Sequence, residues 1–270
     1  MAVPAKRLAK RPAGRASGTG LMRGLALALA LGLFGLAAPA AAQGMLCPAL
    51  PARAPLPREA QPEYLADPGW QGGVAAVSQQ LAATDVGRAR LVFLGDSITA
   101  SWFPLIYQQF YGHRSPLNLG VGGDFTQGML WRLEHGQWPV ALRPQAVVLL
   151  IGTNNAQYSN RPADIALGIA EVIRFINRQS PQTRILLVGL LPRGADASDP
   201  VRRVTEQVNV LIARCADQRS VFYSDAGTML VDGQGRLPEQ LAFDRLHLTM
   251  VGYAVLAAAM EPQIRRLLGE

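Results

Sequence analysis

Apolar residues along this chain alternate between two arrangements. Five short runs carry little polar alternation: 90–94 (RLVFL), 116–119 (PLNL), 146–151 (AVVLLI), 184–190 (RILLVGL) and 220–223 (SVFY). Apolar runs of this length are the pattern of strands buried on both faces. Between them, apolar residues recur every three or four positions. Ile165, Ile169, Val172, Ile173 and Ile176 line one face of a helix over 162–179, and Val204, Val208, Leu211 and Ile212 do so over 200–217. Segment 97–109 is more helical than extended, and 126–136 spaces Met129, Leu130 and Leu133 as one helix face. A final helix is expected over 249–268, and a helix lying on the domain over 70–84. Strands alternating with helices predict an α/β fold, with a parallel sheet between two helical layers and right-handed crossovers.

Upstream the pattern changes. Residues 1–23 carry Lys6, Arg7, Lys10, Arg11, Arg15 and Arg23 and no acid; 24–36 is a short apolar run; Ala40-Ala41-Ala42 precedes Gln43. That is the order of a secretory signal peptide, with a core shorter than the roughly 20 residues of a membrane span. We expect cleavage near Ala42/Gln43, a periplasmic or extracellular protein, and no stable transmembrane segment, with an uncleaved anchor as the alternative. Residues 43–69 are rich in Pro and Ala and are expected to form an N-terminal arm, leaving one domain over 70–270.

The leader alters the meaning of the charge. The chain has 26 basic and 19 acidic residues, a formal +7; six of the basic residues lie in the leader, leaving 20 against 19. The basic balance therefore belongs to export, and no nucleic-acid partner is expected. Both lysines, Lys6 and Lys10, are also in the leader. The remaining chain has no lysine for a Walker-type phosphate loop or a Schiff base. Cys47 and Cys215 are the two cysteines, far apart and without CxxC spacing, which argues against zinc or iron–sulfur sites. In an oxidising compartment they either pair or remain thiols. No cofactor or metal is expected.

Three strand ends carry small polar runs: GDS (95–97), GVGGD (120–124) and GTNN (152–155). In a parallel sheet these converge on one edge, where ligands bind. Ser97 becomes a nucleophile only if a base takes its proton, and the chain has three histidines. His113 lies in a polar loop, and His135 sits late in a helix beside Gly136, where a basic residue suits the helix end. His247 lies in Asp244-Arg245-Leu246-His247, where Asp244 can turn back and accept from the ring. Oxyanion donors are available from the Ser97 N–H, the Gly123 N–H and the Asn154 amide. The plainer reading is that each glycine permits a turn and each asparagine caps a helix. GVGGDF has Phe125 where a dinucleotide fingerprint has its third glycine, and no G-x-S-x-G elbow occurs. Trp102, Phe125 and Tyr158 read as core or rim packing, with an acyl or leaving-group pocket as the alternative.

GDSI with Ser97, NLGVGGD with Gly123, GTNN with Asn154 and DRLH with Asp244 and His247 resemble, in order, the four blocks of the SGNH (GDSL-type) hydrolases. The surrounding LNLGVGGDFTQGMLWRLEHG, VVLLIGTNN, ILLVGLLPRG and DRLHLTMVGY resemble the platelet-activating-factor acetylhydrolase β/γ-subunit-like branch. The resemblance spans about 88–268. It implies a flavodoxin-like fold with a five-stranded parallel sheet and a metal-independent serine esterase. Ser97 would be the nucleophile, His247 the base and Asp244 its orienting acid, with Ser97, Gly123 and Asn154 as the oxyanion hole. The export signal departs from the branch's intracellular namesakes, which favours a small ester or an acylated glycan over their phospholipid. The alternatives are an acyltransferase on a glycan acceptor, a lipid esterase, and a non-catalytic binding module.

Overall fold

The computed structural model describes residues 55–270. The expected leader, its cleavage point, residues 43–54 of the arm and Cys47 lie outside the described residues. Cys215 is buried and disulfide-bonded.

Five strands form one parallel sheet: β1 Leu91–Gly95, β2 Pro116–Gly120, β3 Ala146–Leu150, β4 Arg184–Val188 and β5 Val221–Ser224. Their order is β2-β1-β3-β4-β5. Every residue of β1 and β3 is buried, as an unbroken apolar run requires when helices cover both faces. The helices are α1 Pro68–Ala82, α2 Ser97–Ala100, α3 Pro104–Tyr111, α4 Thr126–Arg132, α5 Thr153–Gln157, α6 Pro162–Gln179, α7 Pro200–Ile212 and α8 Met250–Leu268. Local chemistry sets their starts. Proline opens α6 and α7 with its φ already helical, and the Asp199 carboxylate accepts from Val201 and Arg202 N–H at 2.8 and 2.9 Å.

The path from β1 to β2 runs one way across the sheet, and from β2 through β3, β4 and β5 the other. Right-handed crossovers then place α3 on one face and α4, α6 and α7 on the other. The packing agrees: α8 lies against α3, while α4 packs on α6 and α6 on α7. The direction reverses between β1 and β3. In open α/β sheets the loops that leave such strands part at the reversal, and ligands bind outside the strands' carboxyl ends.

Four details differ from the sequence expectation. Segment 97–109 is two helices, because Phe103 precedes Pro104 and is held extended (φ −64°, ψ 118°). Segment 126–136 is helical only to Arg132; Leu133–Gln137 is a wider turn in which Gly136 reaches φ +105°. The boundary at 69/70 falls inside α1, which starts at Pro68. Finally, the described part of the arm is docked. The Glu59 carbonyl accepts from Thr126 Oγ1 at 2.7 Å, and Glu63 N–H donates to the Gln127 carbonyl at 3.1 Å. Ala60 and Leu65 are buried, and Tyr64 meets Trp70 and Trp131 edge-on.

Candidate active site

Ser97 is the first residue of α2, directly beyond β1. Asp96 caps that helix, its carboxylate accepting from Ile98 N–H at 3.0 Å. Two glycines let this turn press onto the sheet. A Cβ at Gly95 would overlap Thr99 Oγ1 and the Leu150 carbonyl, and one at Gly120 would overlap the Ala100 backbone. Long-range bonds fix it further: Asn118 Nδ2 donates to the Thr99 carbonyl at 2.8 Å, and the Tyr253 hydroxyl donates to the Ile98 carbonyl at 2.8 Å. Tyr253 also packs on buried Trp102, their ring centroids 4.8 Å apart.

His247 and Asp244 lie just before α8. Ala242 and Leu248 form an antiparallel bridge, Phe243 N–H donates to the His247 carbonyl at 3.2 Å, and Arg245 turns the chain at φ +62°. Inside this loop the Asp244 carboxylate accepts from the backbone N–H of Leu246 at 3.0 Å and of His247 at 2.6 Å. The His247 ring bonds Asp244 Oδ2 through Nδ1 at 2.7 Å and Ser97 Oγ through Nε2 at 2.9 Å. Partial burial pushes the Asp244 carboxyl up, but the bonds from the His247 ring and the two backbone N–H groups outweigh it and hold it below its ordinary value. An ionised carboxylate only accepts hydrogen bonds. Nδ1 therefore carries the ring proton, and Nε2 is the acceptor facing the serine hydroxyl.

Opposite this loop, Gly123 adopts φ +71° with no atom within 4 Å of where a Cβ would stand, so its backbone borders open space. Gly152 at φ +125° turns the chain from β3 into α5, where Asn154 is the second residue. Asn154 Nδ2 donates to the Asp124 carbonyl at 2.8 Å, tying the third loop to the second. The structure thus gathers Ser97, Gly123 and Asn154 from three neighbouring strand ends, with His247 and Asp244 meeting Ser97 from the α8 side. The other histidines stand apart. His113 is exposed in a short turn after α3, and His135 stacks on Trp131 at 4.2 Å with Nδ1 bonded to the Trp131 carbonyl.

Sequence reasoning missed the groups beneath the site. Asp124 and Arg132 are both fully buried and form an ion pair at 2.8 Å. Trp70 Nε1 and Phe125 N–H also donate to Asp124, and Arg132 donates to Gln137 Oε1 at 2.8 Å. Burial pushes the Asp124 carboxyl up against the pull of Arg132 and the Trp70 N–H. The pair braces the loop carrying Gly123 against α1 and α4. Asp96 is also buried, and its Oδ2 has no hydrogen-bond partner. Burial raises its carboxyl to about 7, opposed by the bond from Ile98 N–H. Arg193, after β4, donates to the carbonyl and hydroxyl of Thr153 at 3.2 and 3.1 Å and to Gln157, clamping α5 beside Asn154. Tyr158 stands 72% exposed at the rim against Phe125, their rings 5.5 Å apart. Among the described residues, no three His, Cys, Asp or Glu side chains are grouped to hold a metal ion, and no helix is long and apolar enough to cross a membrane.

Residues 93–255 match the GDSL-like Lipase/Acylhydrolase family. The chain is 35% identical over 182 residues to platelet-activating factor acetylhydrolase IB subunit alpha1 of Rattus norvegicus, covering 67% of this chain and 77% of that protein. It is 33% identical over 182 residues to the alpha2 subunit of Homo sapiens, covering 67% and 78%. Among solved structures it is similar to a GDSL-like lipase from Bacteroides thetaiotaomicron, with a TM-score of 0.59 and 20% identity, covering 72% of this chain and 97% of that one. A catalytic mutant of an acetylxylan esterase from Geobacillus stearothermophilus has a TM-score of 0.51 at 20% identity, covering 66% and 93%. At these identities the two structures speak for the fold alone.

Proposed function

This chain belongs to the GDSL-like lipase/acylhydrolase family and is an ester hydrolase, and from that premise we propose that it is an exported esterase for short acyl, chiefly acetyl, esters. The observation that carries the mechanism is the unbroken chain of hydrogen bonds from Ser97 Oγ through the His247 ring to Asp244. Ser97 Oγ attacks the ester carbonyl carbon while its proton passes to His247 Nε2. Asp244 holds the ring's tautomer and stabilises the imidazolium. The new oxyanion is taken by the N–H groups of Ser97 and Gly123 and by the Asn154 Nδ2–H not given to Asp124. The tetrahedral intermediate collapses, the C–O bond to the alcohol breaks, and Nε2 returns the proton to the departing alkoxide. Water then repeats the sequence on the acyl-serine and releases the acid.

Two observations support the acyl preference and the setting. The curated relatives are acetylhydrolases by name. The leader pattern supports export, which favours acetylated glycans or other small esters over a cytoplasmic lipid. Substitution Ser97→Ala is expected to lower hydrolysis of 4-nitrophenyl acetate by about 10⁴-fold while leaving the thermal transition in place. Wild-type rates in a folded Ser97→Ala protein would overturn the assignment.

A further inference from the structure

The acid–base chemistry orders space around Ser97. His247 Nε2 must hand its proton to the departing alkoxide, so the alcohol half of the ester lies on the His247 side of the carbonyl. The oxyanion lies on the other, toward Gly123 and Asn154. The residue that borders the alcohol is therefore the one beside the imidazole.

That residue is Phe243. It sits directly across the Ala242–Leu248 bridge from His247, and residues opposite each other in an antiparallel pair project to the same face. The rings lie nearly parallel, 22° apart with centroids 6.1 Å away. Yet Phe243 is 63% exposed, and it is not among the half-buried side chains packed against the core. Core packing therefore does not account for an aromatic ring at this point. An exposed aromatic face lying nearly parallel to the catalytic imidazole matches a ligand ring that presents its C–H groups to it.

We propose that Phe243 is a specificity-determining residue that receives the alcohol half of the substrate, selecting ring-bearing alcohols over open-chain ones. The inference rests on the esterase reading above. A six-membered ring, saturated or aromatic, covers the Phe243 face while its ester oxygen stays in reach of Nε2. A short open-chain alcohol covers little of it. The shared chemistry admits a pyranose or an aryl ring.

The test compares cyclohexyl acetate with isopropyl acetate. Both release secondary alcohols of similar acidity, so the ratio of their kcat/KM values isolates the ring. Phe243→Ala is expected to lower that ratio by about five- to tenfold, with Phe243→Tyr restoring it. Phenyl acetate and a mono-acetylated methyl pyranoside, each measured against isopropyl acetate, then tell an aryl from a sugar preference. An unchanged ratio in Phe243→Ala would overturn the proposal, as would an equal loss on all four esters with an altered pH profile, which marks a ring that only steadies His247. A wild-type protein that cleaves none of the four overturns the esterase reading itself, an outcome distinct from an unchanged ratio.

Discussion

The two halves of the proposed catalytic constellation are held by different means. The nucleophile turn is fixed from a distance: Asn118 and Tyr253 bond its carbonyls, Gly95 and Gly120 seat it on the sheet, and the buried Asp124–Arg132 pair braces the loop beside it. The base loop positions its two side chains mainly through contacts within itself. Asp244 bonds groups two and three residues ahead, a bridge closes the loop, and the Asp244 side chain remains 42% exposed. Outside the loop, Gly194 N–H donates to the Arg245 carbonyl at 2.9 Å, Arg245 donates to the Leu237 carbonyl and pairs with Glu239 at 2.8 Å, and Ala242 and Leu248 reach the core. The nucleophile side thus shares its stability with the core, whereas the partly exposed side chains of Asp244 and His247 can be altered with little effect on folding.

Substitutions should separate the two. His247→Ala is expected to cut ester hydrolysis by about 10⁴-fold while shifting the melting temperature by less than about 2 °C. A large loss of stability would show that the base loop is not self-contained. Arg132→Met removes one partner of a buried ion pair and is expected to destabilise by about 3–5 kcal/mol, because the Asp124 carboxylate is left uncompensated. Thermal or urea unfolding measures it, and a loss under about 1 kcal/mol would mean that the pair does not brace this side. Asn154→Ala is expected to lower kcat by about 10²–10³-fold, as for one of several oxyanion donors, with KM little changed.

The smallest expected effect concerns Asp96. Its folded carboxyl is raised to about 7 by burial, above the ordinary 3.8. Between these values the folded state binds more protons than the unfolded chain, so this group's contribution to stability falls as pH rises through that window. Asp96→Asn keeps an oxygen for the Ile98 N–H and removes the titration. We expect its stability curve to be flatter between pH 4 and 7, and its melting temperature at pH 8 to be about 2–4 °C above wild type. A variant less stable than wild type at pH 8 would contradict this.

The same contrast explains what was legible in the sequence. Apolar runs announce strands because a doubly covered sheet tolerates no polar alternation, and all five runs form β1 to β5. Asp244 and His247 were legible because their contact is three residues long. The small polar runs at three strand ends pointed to Ser97, Gly123 and Asn154, since a parallel sheet brings such ends together. Asp124 and Arg132 left no such trace. Arg132 interrupts an apolar helix face, and its partners Asp124, Gln137 and the Gly95 carbonyl come from separate segments that only the fold unites. The docking of 58–65 was hidden for a similar reason, because Pro- and Ala-rich composition describes local stiffness and not the groove at Thr126 and Gly168 that receives the Glu59 carbonyl.

The central claim is that Ser97 forms the covalent acyl intermediate. Incubation with an activated 4-nitrophenyl alkylphosphonate, followed by peptide mass spectrometry, tests it most directly. The phosphonyl group is expected on Ser97 at one per chain, with matching loss of esterase activity and no adduct in Ser97→Ala. An adduct on another residue, or full inhibition with Ser97 unmodified, would contradict the account.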